Sequence, residues 1–135
     1  MTVMPSVPPG RQLATESVLL VEDHESIALA ARRILSRQGY TVLTARDGSE
    51  ALELLQSAKP PFDVVVTDLT MPRMGGLELI RRLSGLAPDL PIVYMSGYAE
   101  GGELDHDLAR HTFLQKPFTI EALTTAVRTA LGGRA

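Results

Sequence analysis

Phe62-Asp63-Val64-Val65-Val66-Thr67-Asp68-Leu69-Thr70-Met71-Pro72 leads an apolar run into a carboxylate and then a turn. Three consecutive valines suit a strand covered on both faces, as in a parallel sheet held between helices. Asp68 stands where that strand meets its loop, a poor position for structure and a good one for chemistry. A second run, Val18-Leu19-Leu20-Val21, ends in the same way on Glu22 and Asp23.

Outward from these two runs, strand and helix patterns alternate five times. Strands are expected over 17–21, 40–45, 62–67, 92–95 and 112–115. The second is more polar, as an edge strand should be. The first helix, over 25–38, puts Ile27, Ala31, Ile34 and Leu35 on one face and ends at Gly39. Asp47 and Glu50 have capping-box spacing for a second helix carrying Ala51, Leu54 and Leu55. Pro60-Pro61 breaks the chain before the third strand. A third helix, over 76–84, turns Leu77, Ile80 and Leu83 inward. A fourth is only weakly signalled, by Leu104, Leu108 and Ala109 after Gly101-Gly102. The fifth, over 119–131, carries Leu123, Val127, Ala130 and Leu131. Residues 1–16, with Pro5, Pro8, Pro9 and Gly10, read as a flexible tail or linker before one domain over 17–132.

Regular βα alternation implies a doubly wound α/β sandwich. Right-handed crossovers place every strand's C-terminal end on one edge, where such sheets bind ligands. Glu22, Asp23, Asp68, Ser96 and Lys116 all fall on that edge.

The 135 residues suffice for one domain with its own core. A net charge of -3 without a basic cluster argues against a nucleic-acid surface. The absence of cysteine excludes thiolate catalysis, disulfides and Cys-ligated zinc. No apolar run is long enough to span a bilayer, and the N-terminus lacks signal-peptide organisation, so a cytoplasmic protein without direct membrane contact is expected.

Three carboxylates converging on one edge need positive charge to offset their repulsion. Lys116 is one source and Mg2+ the other. Mg2+ takes oxygen ligands and keeps positions open for a phosphate. An aspartate nucleophile, Mg2+, a lysine and the Ser96 hydroxyl are sufficient parts for phosphoryl transfer to a carboxylate.

With these stretches in place, together with Gly76, Met95-Ser96-Gly97 and Lys116-Pro117-Phe118, the chain resembles a response regulator receiver domain of two-component signalling. The resemblance runs from Ser17 to about Leu131. It implies a flavodoxin-like five-stranded parallel sheet of order 2-1-3-4-5. It also implies that Asp68 accepts a phosphoryl group from a phosphohistidine. Asp23, Asp68 and the Thr70 backbone carbonyl would bind Mg2+, with Glu22 acting mainly through bound water. Ser96 would hydrogen-bond the phosphoryl oxygen, Lys116 would pair with Asp68 or the phosphate, and the Lys116-Pro117 bond would be cis. The implied partner is a histidine kinase or a histidine phosphotransfer protein, with weak homodimerisation left open. Phe113 takes the position where many members carry a switching tyrosine, and it has no hydroxyl to bond. Gly75-Gly76 is read as making its loop pliant.

Tyr94-Met95-Ser96-Gly97-Tyr98-Ala99 and Phe113-Leu114-Gln115-Lys116-Pro117-Phe118 resemble the receivers at the C-terminus of hybrid sensor histidine kinases. The chain ends just after the fifth helix, without an output domain. It therefore reads as the receiver of a hybrid kinase or, alternatively, as a stand-alone response regulator. A haloacid-dehalogenase-like phosphohydrolase also uses a strand-end aspartate and Mg2+, but it needs an acid two residues later, where Thr70 stands here. A flavodoxin-like cofactor binder needs a phosphate loop where Glu22-Asp23-His24-Glu25 would repel one.

Simpler readings exist for single residues. Glu22 and Asp23 could cap a helix, Ser96 could form a turn, and Lys116 could be a surface lysine. His24, His106 and His111 match no metal-ligand spacing. Arg32, Arg33, Arg37, Arg81 and Arg82 are most simply solvated helix faces.

Overall fold

The computed structural model describes residues 16–57, 61–71, 74–97 and 106–132. Strands β1 (Ser17–Val21), β3 (Val64–Asp68) and β4 (Ile92–Ser96) are buried along almost their whole length. Continuous apolar runs need this double cover. The more polar β2 (Thr41–Ala45) and β5 (Thr112–Gln115) take the two edges. All pairings are parallel, and the strand order is β2-β1-β3-β4-β5, the flavodoxin-like order implied by the resemblance.

Alternation along β1 divides the core into two layers. Leu19 and Val21 face one layer with Val65, Leu52, Leu79, Ile80 and Leu83. Val18 and Leu20 face the other with Val66, Ala31, Leu35, Leu123 and Val127. Each such fully buried side chain stabilises the fold by about 1.5–3 kcal/mol relative to exposure.

The helices start and stop for local reasons. α1 (Glu25–Arg37) ends at Gly39, whose φ of 97° is open to glycine at little cost. The Gly39 and Tyr40 amides donate to the Ser36 and Leu35 carbonyls, closing the last turn as a Schellman motif. α2 (Gly48–Ser57) is capped by Asp47, whose Oδ1 accepts the Glu50 amide at 2.9 Å. Glu50 reaches back one residue further than a standard capping box, accepting the Arg46 amide at 2.7 Å. α3 (Gly76–Leu86) and α5 (Ile120–Gly132) follow β3 and β5, and the Thr119 hydroxyl caps α5 by accepting the Ala122 amide at 3.0 Å. The described part of α4 is His106–Ala109, in which Leu108 is buried and Ala109 is exposed.

Several expected boundaries and faces shift. β3 starts at Val64 rather than Phe62 and includes Asp68, because Asp68 stays in register with Met95 and the Leu69 amide donates to the Met95 carbonyl. β4 includes Ser96 because Ser96 pairs with Gln115. The buried stripe of α3 is Gly76, Leu79, Ile80 and Leu83, with Leu77 only half-buried. Leu52 and Ala126 join the inward faces of α2 and α5. The expectations for residues 1–15, Pro60, Pro72, Tyr98, Gly101, Gly102 and Leu104 lie outside the described residues.

Candidate functional site

The C-terminal ends of β1, β3 and β5 bring together Glu22, Asp23, Asp68 and Lys116, and Ser96 ends β4 on the same edge of the sheet. The Glu22 amide continues the ladder past β1 by donating to the Ala45 carbonyl, which keeps Glu22 inward and buried. Asp23, one residue on, is exposed. Asp68 closes β3 and is 7% exposed. Its Oδ1 accepts the Thr70 amide at 3.3 Å, which folds the chain back over the carboxylate as an Asx turn does. Carboxylate oxygens of Glu22, Asp23 and Asp68 all lie within 4.8 Å of one another.

Lys116 reaches this cluster from β5. Its amide donates to the Ser96 carbonyl at 2.8 Å, and the Lys116–Pro117 peptide is cis. The ammonium Nζ lies 3.0 Å from Glu22 Oε1 and 3.1 Å from Asp68 Oδ2, bridging two strand ends. Glu22 Oε2 accepts the His24 amide at 3.1 Å. Glu22 Oε1 has the lysine charge beside it and no other polar partner. Burial pushes the Glu22 carboxyl up from its ordinary range and the Asp68 charge adds to this, while the His24 amide and Lys116 oppose it. Burial alone would lower the Lys116 ammonium, but Glu22 and Asp68 outweigh it and carry it upward.

The charge of the cluster is unbalanced. Three carboxylates and one ammonium leave an excess of two negative charges in a partly desolvated pocket. Hard oxygen donors, one of them buried with only the lysine charge beside it, suit a small hard dication.

Ser96 is buried at the end of β4, beside β5. Thr70 is exposed on the loop after β3. Phe113 is half-buried two residues short of the edge, its ring centroid 5.3 Å from that of Tyr94 with the planes 40° apart. Its contact is thus with a core aromatic ring in a tilted packing arrangement. Exposed Arg82 is held by Glu78 on its own helix. Exposed His24 serves through its backbone, as the N-cap residue of α1.

Sequence reasoning missed the role of the glycines around the site. At Gly76 the backbone comes close to the end of β3. The Gly76 amide donates to the Leu69 carbonyl at 3.0 Å, and a β-carbon there would collide with the Asp68 carbonyl. Gly48 packs closely against the Met74 side chain. Glycine at the start of a helix is the available signal for such close approach, but its partner cannot be read locally.

The response regulator receiver domain family matches residues 18–128. Among curated relatives, the sensor kinase CckA of Brucella abortus is 41% identical over 118 residues, covering 85% of this chain and 12% of that protein. The response regulator MprA of Mycolicibacterium vanbaalenii is 39% identical over 116 residues, covering 84% of this chain and 49% of that one. The chain thus spans at most about half the length of these relatives. Among solved structures, the chemotaxis response regulator CheY4 of Vibrio cholerae superposes with a TM-score of 0.77 at 31% identity, over 87% of this chain and all of that one. A response regulator from Chloroflexus aurantiacus gives a TM-score of 0.79 at 26% identity, over 88% and 99% of the two chains.

Proposed function

The chain belongs to the response regulator receiver domain family of two-component signalling, and from this we propose that Asp68 is its phosphoacceptor, loaded from a phosphohistidine with Mg2+. The observation that carries the reading is the Lys116 ammonium held between Glu22 and Asp68. It places a fixed positive charge against the carboxylate that would take up the phosphoryl group.

In the proposed step a carboxylate oxygen of Asp68 bonds to phosphorus while the P–N bond of the phosphohistidine breaks. The electron pair of that bond leaves on the imidazole nitrogen, and an acyl phosphate remains on Asp68. Lys116 offsets the phosphoryl charge, and the Ser96 hydroxyl donates to a phosphoryl oxygen. Asp23, Asp68 and the Thr70 carbonyl would hold Mg2+, with Glu22 acting mainly through bound water. The ion, when bound, neutralises phosphoryl charge and orients the group for in-line transfer. Burial of Asp68 limits access of water and so slows hydrolysis of the product.

Phosphorylation adds roughly -1.5 to -2 charge at one point and shifts a pre-existing equilibrium of the surrounding loops. With Phe113 in the switch position, the readout on this side runs through packing against Tyr94 rather than through a hydroxyl. The donor is a histidine kinase or a histidine phosphotransfer protein in the cytoplasm. The similarity to a segment of the sensor kinase CckA supports a place in a hybrid kinase. The stand-alone arrangement is the second reading, supported by the full-length cover of CheY4.

The test is incubation with acetyl phosphate, or with a phosphorylated histidine phosphotransfer protein, in Mg2+. The unaltered chain should gain one hydroxylamine-labile phosphate and Asp68→Ala none. No label on the unaltered chain, or equal label on the variant, overturns the reading.

A further inference from the structure

The loop after β3 is tied to the start of α2. The Gly48 amide is among the first donors of α2 and has no partner within its own helix. It donates instead to the Met74 carbonyl at 3.0 Å. Met74 is buried, and its side chain lies directly on Gly48: a β-carbon there would stand 2.7 Å from Met74 Cγ and 2.8 Å from Sδ. Real β-carbons essentially never come so near another atom, so a side chain at Gly48 would have to displace Met74. Asp47, buried and capping the same helix, fixes the backbone that presents Gly48.

Met74 is two residues before Gly76, whose amide is bonded to the Leu69 carbonyl and whose Cα packs close to the Asp68 backbone. The chain between Asp68 and Gly76 carries Thr70. Its described residues are tied by two backbone hydrogen bonds, Gly76 to the Leu69 carbonyl and Gly48 to the Met74 carbonyl. We propose that Gly48 is a positioning residue for the cation site, holding through Met74 the loop that presents the Thr70 carbonyl. The role rests on the Mg2+ reading above. Gly48 touches neither the ion nor the phosphoryl group; it acts through the loop.

The test is calorimetric titration of the full chain with Mg2+. Gly48→Ala should weaken Mg2+ binding about tenfold, the lower end of the range for groups that orient ligands from behind. Alanine is the better helix former, so the loss cannot come from a weakened α2. Shortening the opposing side chain makes room, so Gly48→Ala/Met74→Ala should bind within about threefold of Met74→Ala alone, a non-additive pair. Additive losses, or unchanged binding in Gly48→Ala, overturn the positioning role while leaving the Mg2+ reading intact. No Mg2+ binding by the unaltered chain overturns both. Coupling is reciprocal, so saturating Mg2+ should also slow hydrogen exchange at the Gly48 amide of the unaltered chain. An exchange rate indifferent to Mg2+ overturns the role without any variant having to fold.

Discussion

Asp68 Oδ2 accepts a hydrogen bond from Lys116 Nζ at 3.1 Å across 48 residues of sequence. That contact joins the ends of β3 and β5 and places a cation on the candidate phosphoacceptor before any ligand arrives. Removing it exposes what it offsets. Lys116→Met leaves Glu22 and Asp68 as buried, uncompensated acids. We expect a loss of about 3 kcal/mol in urea unfolding, the lower end for a broken buried pair, because a fifth of the lysine side chain still meets solvent. An unfolding midpoint equal to that of the unaltered chain would show that the ammonium offsets nothing.

Asp23 is exposed and shares the cluster with two buried acids. Asp23→Asn removes one repelling charge and one candidate cation ligand. Without Mg2+ the variant should be as stable as the unaltered chain or slightly more so. With Mg2+ at about 100 times its Kd, the unaltered chain should gain about 2.7 kcal/mol, and the variant should gain little. Chelation with EDTA should erase the difference. Thermal unfolding with and without the ion measures both terms, and equal gains in the two proteins would remove Asp23 from the site.

Two glycines of α3 predict opposite signs. A β-carbon on Gly76 meets the Asp68 backbone, whereas one on Gly85 meets nothing within 4 Å. Gly76→Ala should cost about 3 kcal/mol, as overpacking against rigid backbone does, and should slow phosphorylation by displacing Asp68. Gly85→Ala should stabilise by about 0.5–1 kcal/mol through helix propensity alone. Chemical denaturation of the pair checks the contrast. Equal effects would mean that the close approach at Gly76 is not what selects glycine.

Burial raises the Tyr40 phenol above its ordinary value of 10.0, the Glu16 charge adds to this, and Arg128 partly opposes it. A folded value above the unfolded one means that the native state holds the proton more tightly. The associated stability is complete below about pH 10 and is lost as pH rises through the folded value. Stability should therefore fall above about pH 10, and Tyr40→Phe should flatten that fall. A variant whose alkaline profile matches that of the unaltered chain would assign the fall to other groups.

Much of the architecture was legible in the chain because it rests on short-range signals. The valine run before Asp68 and the run before Glu22 read as doubly covered strands, and they are. The Gly39 stop and the Asp47 cap read correctly because a positive φ and a free amide each have a local remedy. The inward faces are less exact: Leu77 and Leu79 lie on different sides of α3, each can share a stripe with Ile80 and Leu83, and only the partner surface chooses Leu79. Asp68 was placed at a strand end, but its membership of β3 depends on pairing with Met95, which belongs to another segment.

The sequence by itself determined the alternation of strands and helices and the arrival of acids, a hydroxyl and a lysine at strand ends. Run length, period and breakers are properties of neighbouring residues, and the right-handed crossover rule carries them to one edge. Only the tertiary structure decided that Lys116 contacts Glu22 as well as Asp68, that Gly76 is shaped by the Asp68 carbonyl, and that Gly48 receives Met74. These are contacts between distant segments, set by sheet register and helix packing to within an ångström, and no local pattern of residue types encodes a distance of that kind.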